Sequence, residues 1–353
     1  MPEDIKEKIV YSFKNDYSEG AHLDILNALI NTNTSQQNGY GEDCYSEEAV
    51  DILKDKINNE NIDIHFVAGG TQANLVVISS VLRPYESIIA ADTGHISTHE
   101  TGAIEATGHK ISIVESLDGK LLPERIEKLL SEHSSEHMVK PRMVFISNST
   151  ELGTVYKKNE LEKLSLFCKK NDLILYMDGA RLGAALTSDT NDLTLEDISR
   201  LVDVFYIGGT KNGALLGEAI VLCNDSLKKN FRYNMKQKGA LMAKGRILGI
   251  QFSELFRNNL FFSLGKHANF MVSKLGSSIE KLGYDFLNET ESNQIFPIFP
   301  TEVVEKLTEK YGFYVWQNID DEMSAVRLVT SWATKEEIVD RFLSDLEKLI
   351  EHK

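Results

Sequence analysis

Leu173-Ile174-Leu175-Tyr176-Met177-Asp178-Gly179-Ala180-Arg181 and, one helix-length interval later, Val204-Phe205-Tyr206-Ile207-Gly208-Gly209-Thr210-Lys211 are the stretches that decide the architecture of this chain. Each is an apolar run of strand length that breaks off at glycine and a charged side chain. A run without polar alternation suits a strand buried on both faces, and two such strands joined by a helix make a βαβ unit of a parallel sheet. Further strands are expected at Ile62–Val67, Ser87–Ala91, Met143–Ser147 and Ala219–Leu222. Helical spacing runs over Glu47–Ile57, Gln72–Leu82, Leu121–Ser131 and Asn159–Asn171. The fold class is therefore α/β, a mostly parallel sheet covered by helices. The first forty or so residues are polar and rich in turn signals, with Asn31-Thr32-Asn33-Thr34 and Asn38-Gly39 as punctuation.

Beyond about Phe252 the pattern changes to a long amphipathic stretch, Ser263–Leu282, then strand–helix alternation ending in the charged helix Lys335–His352. With 353 residues the chain exceeds what one core comfortably serves. The expected organisation is an N-terminal segment over 1–45, a large domain over 46–252 and a smaller C-terminal α/β domain over 253–353. A net charge of −15 repels phosphate backbones, so nucleic acid is not an expected partner. Three scattered cysteines without a CxxC spacing argue against a disulfide framework or a zinc site. Met1-Pro2-Glu3-Asp4 lacks the apolar core of a signal peptide. The apolar run Leu75–Leu82 is broken by serines and closed by Arg83-Pro84, so no membrane span is expected and the cytoplasm is the expected compartment.

In an open α/β sheet, ligands bind beyond the carboxyl ends of the strands, and four such ends carry reactive side chains. Lys211 follows two glycines that let the backbone turn beside a bulky ligand; partial desolvation there makes its amine a nucleophile toward a carbonyl. Taken alone, Gly-Gly-Thr-Lys is a weak motif and reads first as a lysine in a polar turn. Asp178 is either a solvated helix cap or a carboxylate that keeps a ring nitrogen protonated. Ala68-Gly69-Gly70-Thr71-Gln72-Ala73-Asn74 opens a helix after a strand, where backbone N–H groups and the Thr71 hydroxyl suit an anion. It has neither the Walker lysine nor the GxGxxG spacing. His95, after Ser87–Ala91, is either a surface residue or a ring that lies on a planar ligand; His99 stands close by.

In this order the pieces resemble the threonine aldolase and β-eliminating lyase family, from about Asn15 to about Trp332. Tyr40-Gly41-Glu42-Asp43, Gly69-Gly70-Thr71-x-x-Asn74, His95-Ile96-x-x-x-Glu100-x-Gly102-Ala103 and above all Asp178-Gly179-Ala180-Arg181-Leu182 carry the likeness. It implies the aspartate-aminotransferase fold (type I) with a large, mixed, seven-stranded-type sheet, and pyridoxal phosphate (PLP) as cofactor. Lys211 is then the Schiff-base lysine. Asp178 meets the pyridine nitrogen, Gly70, Thr71 and Thr210 line the cofactor, and His95 stacks on its ring. Lys236, in Met235-Lys236-Gln237, is the basic residue for the phosphate. Arg181 lies beside the ring and reaches the substrate carboxylate, and Arg327, in Val326–Trp332, clamps it.

The implied activity is cleavage of the Cα–Cβ bond of a β-hydroxy-α-amino acid such as threonine, allo-threonine or phenylserine, with His95 (His99 as second candidate) or a water it positions as the base. A homodimer or homotetramer is implied as well. Asn15-Asp16-Tyr17 stands where the family has Ser-Asp-Thr, which leaves Asn15 at the carboxylate-binding position. Gly69 replaces the usual serine of the phosphate loop. The stretch Phe205–Leu222 departs from the common Ser-Lys pattern. Another PLP reaction on the same scaffold, β-elimination or transamination, is the alternative, and a non-catalytic PLP-binding scaffold the more distant one.

Overall fold

The seven strands of the large sheet lie side by side in the order Asp63–Val67, Glu218–Leu222, Val204–Gly208, Ile174–Asp178, Lys140–Ser147, Glu86–Ala91, Ile111–Val114. Only Glu218–Leu222 runs against the rest, antiparallel to both its neighbours. This computed structural model describes residues 10–289 and 291–351. Residues 1–4 and His352, both used in the expectations above, lie outside that range.

The apolar runs behave as double-sided strands. Every residue of Ile174–Asp178, Val204–Gly208 and Glu218–Leu222 is buried. Period-two alternation sends Leu175, Met177, Phe205 and Ile207 to one core, and Ile174, Tyr176, Val204 and Tyr206 to the other. Helices cover both faces: Gly70–Val81 on one, Cys44–Ile57, Lys158–Lys170 and Arg246–Arg257 on the other. The expected elements are all present, with their ends shifted by three residues or fewer.

Several elements were not foreseen, among them the helix Arg246–Arg257 and two more. The edge strand Ile111–Val114 is four residues long, half exposed, and too short to show a period. The helix Leu23–Thr32 lies in the stretch read as turn-rich. Only its Ile25 is buried, while Leu23 and Ile30 are 64% and 71% exposed, so it lacks the apolar stripe that marks a core helix.

The C-terminal part builds its own core around the antiparallel strands Ile298–Pro300, Met323–Val329 and Tyr314–Asn318, the helix Leu260–Lys281 and the helix Glu336–Glu351. The N-terminal segment joins this core. Tyr11–Ser12 pairs in parallel with Tyr311–Gly312, and Phe13 is fully buried against the rings of Tyr11, Tyr311 and Phe342. Among the described residues no helix is long and apolar enough to cross a membrane.

Candidate active site

The strands Asp63–Val67, Val204–Gly208, Ile174–Asp178, Lys140–Ser147 and Glu86–Ala91 share one direction, so their carboxyl ends gather on one edge of the sheet. Gly69–Thr71, Lys211, Asp178, Glu151 and His95 follow from those five ends. Asp178 and Lys211 are drawn together by backbone contact. A Cβ at Gly179 would fall 1.9 Å from the Tyr206 carbonyl oxygen, and the Gly208 N–H donates to the Gly179 carbonyl at 2.9 Å. No side chain fits at Gly179, and the two strand ends close on each other there.

Asp178 is buried; its carboxylate accepts from the Ala180 N–H at 2.9 Å. Burial and the neighbouring Asp178 charge hold the Tyr206 phenol well above its ordinary range. That hydroxyl lies 2.9 Å from where a Gly70 side chain would start, which keeps the bottom of the cradle shallow. The helix Gly70–Val81 has Gly69 as its N-cap and no capping side chain, so its first N–H groups are left for an anion.

Burial pushes the Lys211 amine below the ordinary lysine value, Arg181 pushes the same way, and Asp16, Asp178 and Glu218 pull against them. Tyr17 is its nearest aromatic partner, with Nζ 5.9 Å from the ring centroid. The His95 Nδ1 lies 2.9 Å from Glu100 Oε1. The same oxygen accepts from Asn74 Nδ2 at 2.7 Å, and Asn74 Oδ1 accepts from the Tyr176 hydroxyl at 2.7 Å. The His95 backbone N–H donates to Glu151 Oε1, which also accepts from Ser147. Burial, with Asp178 close by, raises the Glu151 carboxyl. His99 is exposed at the mouth; desolvation, then the charges of His95, Arg327 and Lys211, lower its imidazole.

Arg181 points its fork at Asp16, Nε to Oδ2 at 2.7 Å and Nη2 to Oδ1 at 3.1 Å, and Asn293 also donates to Asp16 Oδ2 at 3.0 Å. Arg327 has no such partner. Its Nη2 donates to the Lys14 carbonyl at 3.1 Å, its Nε is buried without an acceptor, and its guanidinium lies between the rings of Tyr314 and Trp316. Burial and the nearby Arg181 lower its pKa from the ordinary arginine value.

The structure brings Lys211, Asp178, Arg181, His95, Gly70, Thr71, Thr210 and Arg327 to one edge. Two expected residues take other partners. The Asn15 side-chain oxygen accepts from Tyr17 N–H and Ser18 Oγ, capping its own turn. The Lys236 amine is exposed and sits 4.4 Å over the Tyr40 ring; its segment meets the phosphate loop only where Gln72 Nε2 approaches the Lys238 carbonyl at 3.5 Å. Glu151 and Glu218 escaped sequence reading because nothing local marks them, and Asp16 was quoted only as the middle of Asn15-Asp16-Tyr17, with no role. Asn74 and Glu100 stood within quoted motifs, and their helical and loop positions beside His95 are the signal that was there to use.

Loss of Asp16 leaves Arg181 buried without a counter-ion. Asp16→Ala is expected to cost about 3 kcal/mol of stability, measured by urea unfolding at neutral pH. Burial alone would raise the Asp16 carboxyl, but Arg181, Lys211 and Asn293 together hold it below its ordinary value. With the folded value depressed, its contribution is complete above pH 3.8 and declines only as the pH falls through the folded value.

Residues 24–301 match the family model described as beta-eliminating lyase. The chain belongs to the beta-eliminating lyase family. The lyase is 32% identical over 341 residues to the low specificity L-threonine aldolase of a Pseudomonas species, covering 95% of this chain and 96% of that one. A solved threonine aldolase of Leishmania major superposes with a TM-score of 0.95 at 48% identity, covering 96% and 99% of the two chains. The aspartate aminotransferase of Thermus thermophilus superposes with a TM-score of 0.72 at 16% identity, over 96% and 90%, which shows the shared fold. The lyase is accordingly PLP-dependent and of the aminotransferase-like fold. The site fits that cofactor: a buried amine with no carboxylate in ion-pair contact among the described residues, a buried carboxylate beside it, and an uncapped helix N-terminus over a glycine floor.

Proposed function

We propose that the protein cleaves the Cα–Cβ bond of β-hydroxy-α-amino acids, threonine, allo-threonine and phenylserine among them, to give glycine and an aldehyde. The observation that carries this reading is the half-buried guanidinium of Arg327, with no carboxylate in ion-pair contact among the described residues and a buried Nε left without an acceptor, on the same edge as Lys211 and Asp178. It is a ready seat for an α-carboxylate. The threonine aldolase names of the Pseudomonas and Leishmania relatives support the bond chosen.

Lys211 holds the cofactor, Asp178 its ring nitrogen, Gly70 and Thr71 its phosphate, Thr210 its flank and His95 its ring face. Bound there, PLP supplies the electron sink for the pair left on Cα. Arg327 fixes the carboxylate, which sets the substrate's rotation so that the Cα–Cβ bond is the one aligned to break. Arg181, its fork filled by Asp16, adds positive potential to that seat and keeps the Lys211 amine reactive. Glu100 accepts from His95 Nδ1–H and so leaves Nε2 as the acceptor for the β-hydroxyl proton, directly or through a water. Lys236 is proposed to serve a phosphate in the assembled oligomer, and the Asn15 amide group to lie at the carboxylate's edge.

The mouth of the site is lined by Tyr17 and Tyr314, 54% and 48% exposed in the single chain. We propose a homodimer or homotetramer in which a second copy covers them, working in the cytoplasm. The test of function is a retro-aldol assay over the four stereoisomers of threonine and those of phenylserine, with aldehyde and keto acid measured in parallel. Aldehyde with equimolar glycine is the expected product. Keto acid alone, or no turnover of any stereoisomer, contradicts the proposal.

A further inference from the structure

Glu100 is held between His95 and the interior of the sheet. Its side chain is sealed from solvent, yet its two oxygens are unequally served. Oε1 meets two nitrogens, His95 Nδ1 at 2.9 Å and Asn74 Nδ2 at 2.7 Å, while Oε2 is buried with no partner among the described residues. Asn74 stands one turn into the helix Gly70–Val81 and is fully buried; its Oδ1 accepts from the Tyr176 hydroxyl at 2.7 Å. Tyr176 belongs to the strand that ends at Asp178. Its ring is also fully buried and is met edge-on by Phe145, with 5.5 Å between centroids.

Only one polarity satisfies this series. A phenol has a single proton to give. Burial, then the charges of Asp178, Glu100 and Glu218, hold the Tyr176 phenol well above its ordinary range, so it keeps that proton and donates it to Asn74 Oδ1. The Asn74 amide is thereby turned with its N–H groups toward Glu100. The opposite turn would set its Oδ1 against a buried carboxylate and leave the phenol facing N–H groups, with polar atoms unpaired on both sides.

We propose that Asn74 and Tyr176 are positioning residues for His95: together they hold Glu100 by Oε1, so that the imidazole donates Nδ1–H inward and presents Nε2 to the substrate. Without the Asn74 donor the carboxylate is free to turn about its own bond and offer either oxygen, and the imidazole that leans on it turns as well. This rests on His95 accepting the β-hydroxyl proton and deepens that reading, because the strand that supplies Asp178 also orients the base.

The other groups near His95 do not provide this frame. Glu151 Oε1 accepts from the His95 backbone N–H, which fixes the main chain and leaves the ring free to rotate. The His99 ring lies 5.7 Å away, tilted by 60°, and is exposed. The His95 side chain is itself 34% exposed, so packing alone leaves it room to turn. Among the described residues the side chains of Asn74 and Tyr176 hydrogen-bond only to each other and to Glu100, so a change at either reaches His95 through that carboxylate.

The test compares Asn74→Ala and Tyr176→Phe with wild type, as full chains. On PLP-free protein isotope-labelled in histidine, the His95 Nδ1–H proton is read by NMR and assigned by its loss in His95→Gln. Wild type is expected to show a slowly exchanging proton on Nδ1 and none on Nε2. In Asn74→Ala that proton is expected to exchange with solvent at least about tenfold faster, and Tyr176→Phe to act in the same direction by less. Unchanged shift and exchange in both folded variants overturn the proposal. Should Asn74→Ala fail to fold, Tyr176→Phe decides alone, since it removes one hydroxyl and keeps the buried ring. With PLP bound, Asn74→Ala is expected to lower kcat about tenfold and to leave KM within about twofold, because Arg327 is untouched. A faster-exchanging proton with unchanged kcat would leave this frame standing and sink His95 as the base, a separate outcome.

Discussion

Lys211→Ala is expected to lower aldehyde release by at least roughly a thousandfold and to leave a colourless protein where the wild type is yellow with PLP. The size follows from the neighbourhood. Lys211 has the one amine that sits beside Asp178 at the joined ends of Ile174–Asp178 and Val204–Gly208. Lys236, the other lysine considered, stacks on Tyr40 with its amine exposed. Among the described residues no other lysine is placed to take over. The variant should nonetheless fold, because the wild-type amine makes no ion pair that its removal would break and is itself a buried charge. Its melting temperature should stay within about 4 °C of wild type, the shift that roughly 1 kcal/mol produces in a protein of this size class. Retention of a tenth of the activity with the yellow colour would refute the role.

Arg327→Lys is the second large effect. It keeps the positive charge and loses the planar fork, which a point charge cannot replace at a carboxylate. Nε is the buried donor without an acceptor, and the rings of Tyr314 and Trp316 hold the guanidinium plane in place. A fall of about a hundredfold in kcat/KM, near 3 kcal/mol, is expected, with the yellow colour retained. Because the carboxylate also sets the rotation about Cα, kcat should drop along with the rise in KM. Steady-state kinetics with threonine decides it; an unchanged kcat/KM would move the carboxylate elsewhere, with Arg181 next in line.

The layout of the large sheet was legible because its strands are buried on both faces and so read as continuous apolar runs. The chemistry was legible where it sits at the ends of those runs: Asp178, Lys211, His95, Gly70. What escaped was whatever depends on a partner far along the chain. Asp16 lies 165 residues from Arg181, and its own neighbourhood of Asn15 and Tyr17 says nothing of a buried ion pair. Glu218 reads as an ordinary strand start until the reversed pairing sets it opposite Gly208, where it accepts from the Gly209 N–H. Leu23–Thr32 was hidden because two of its large apolar side chains, Leu23 and Ile30, face outward and only Ile25 is buried. The expectation that Arg181 grips the substrate came from the family likeness; the geometry shows its fork already filled by Asp16.

The parallel pairing of Tyr11–Ser12 with Tyr311–Gly312 seats Asp16 only once a segment some three hundred residues later has been made. A nascent chain that has released everything through Lys211 still lacks the mate for its own beginning, and Arg327 as well. Catalytic competence therefore waits until the stretch from Tyr311 to Arg327 has left the ribosome, and a product ended before it carries the reactive lysine without the means to hold a substrate against it.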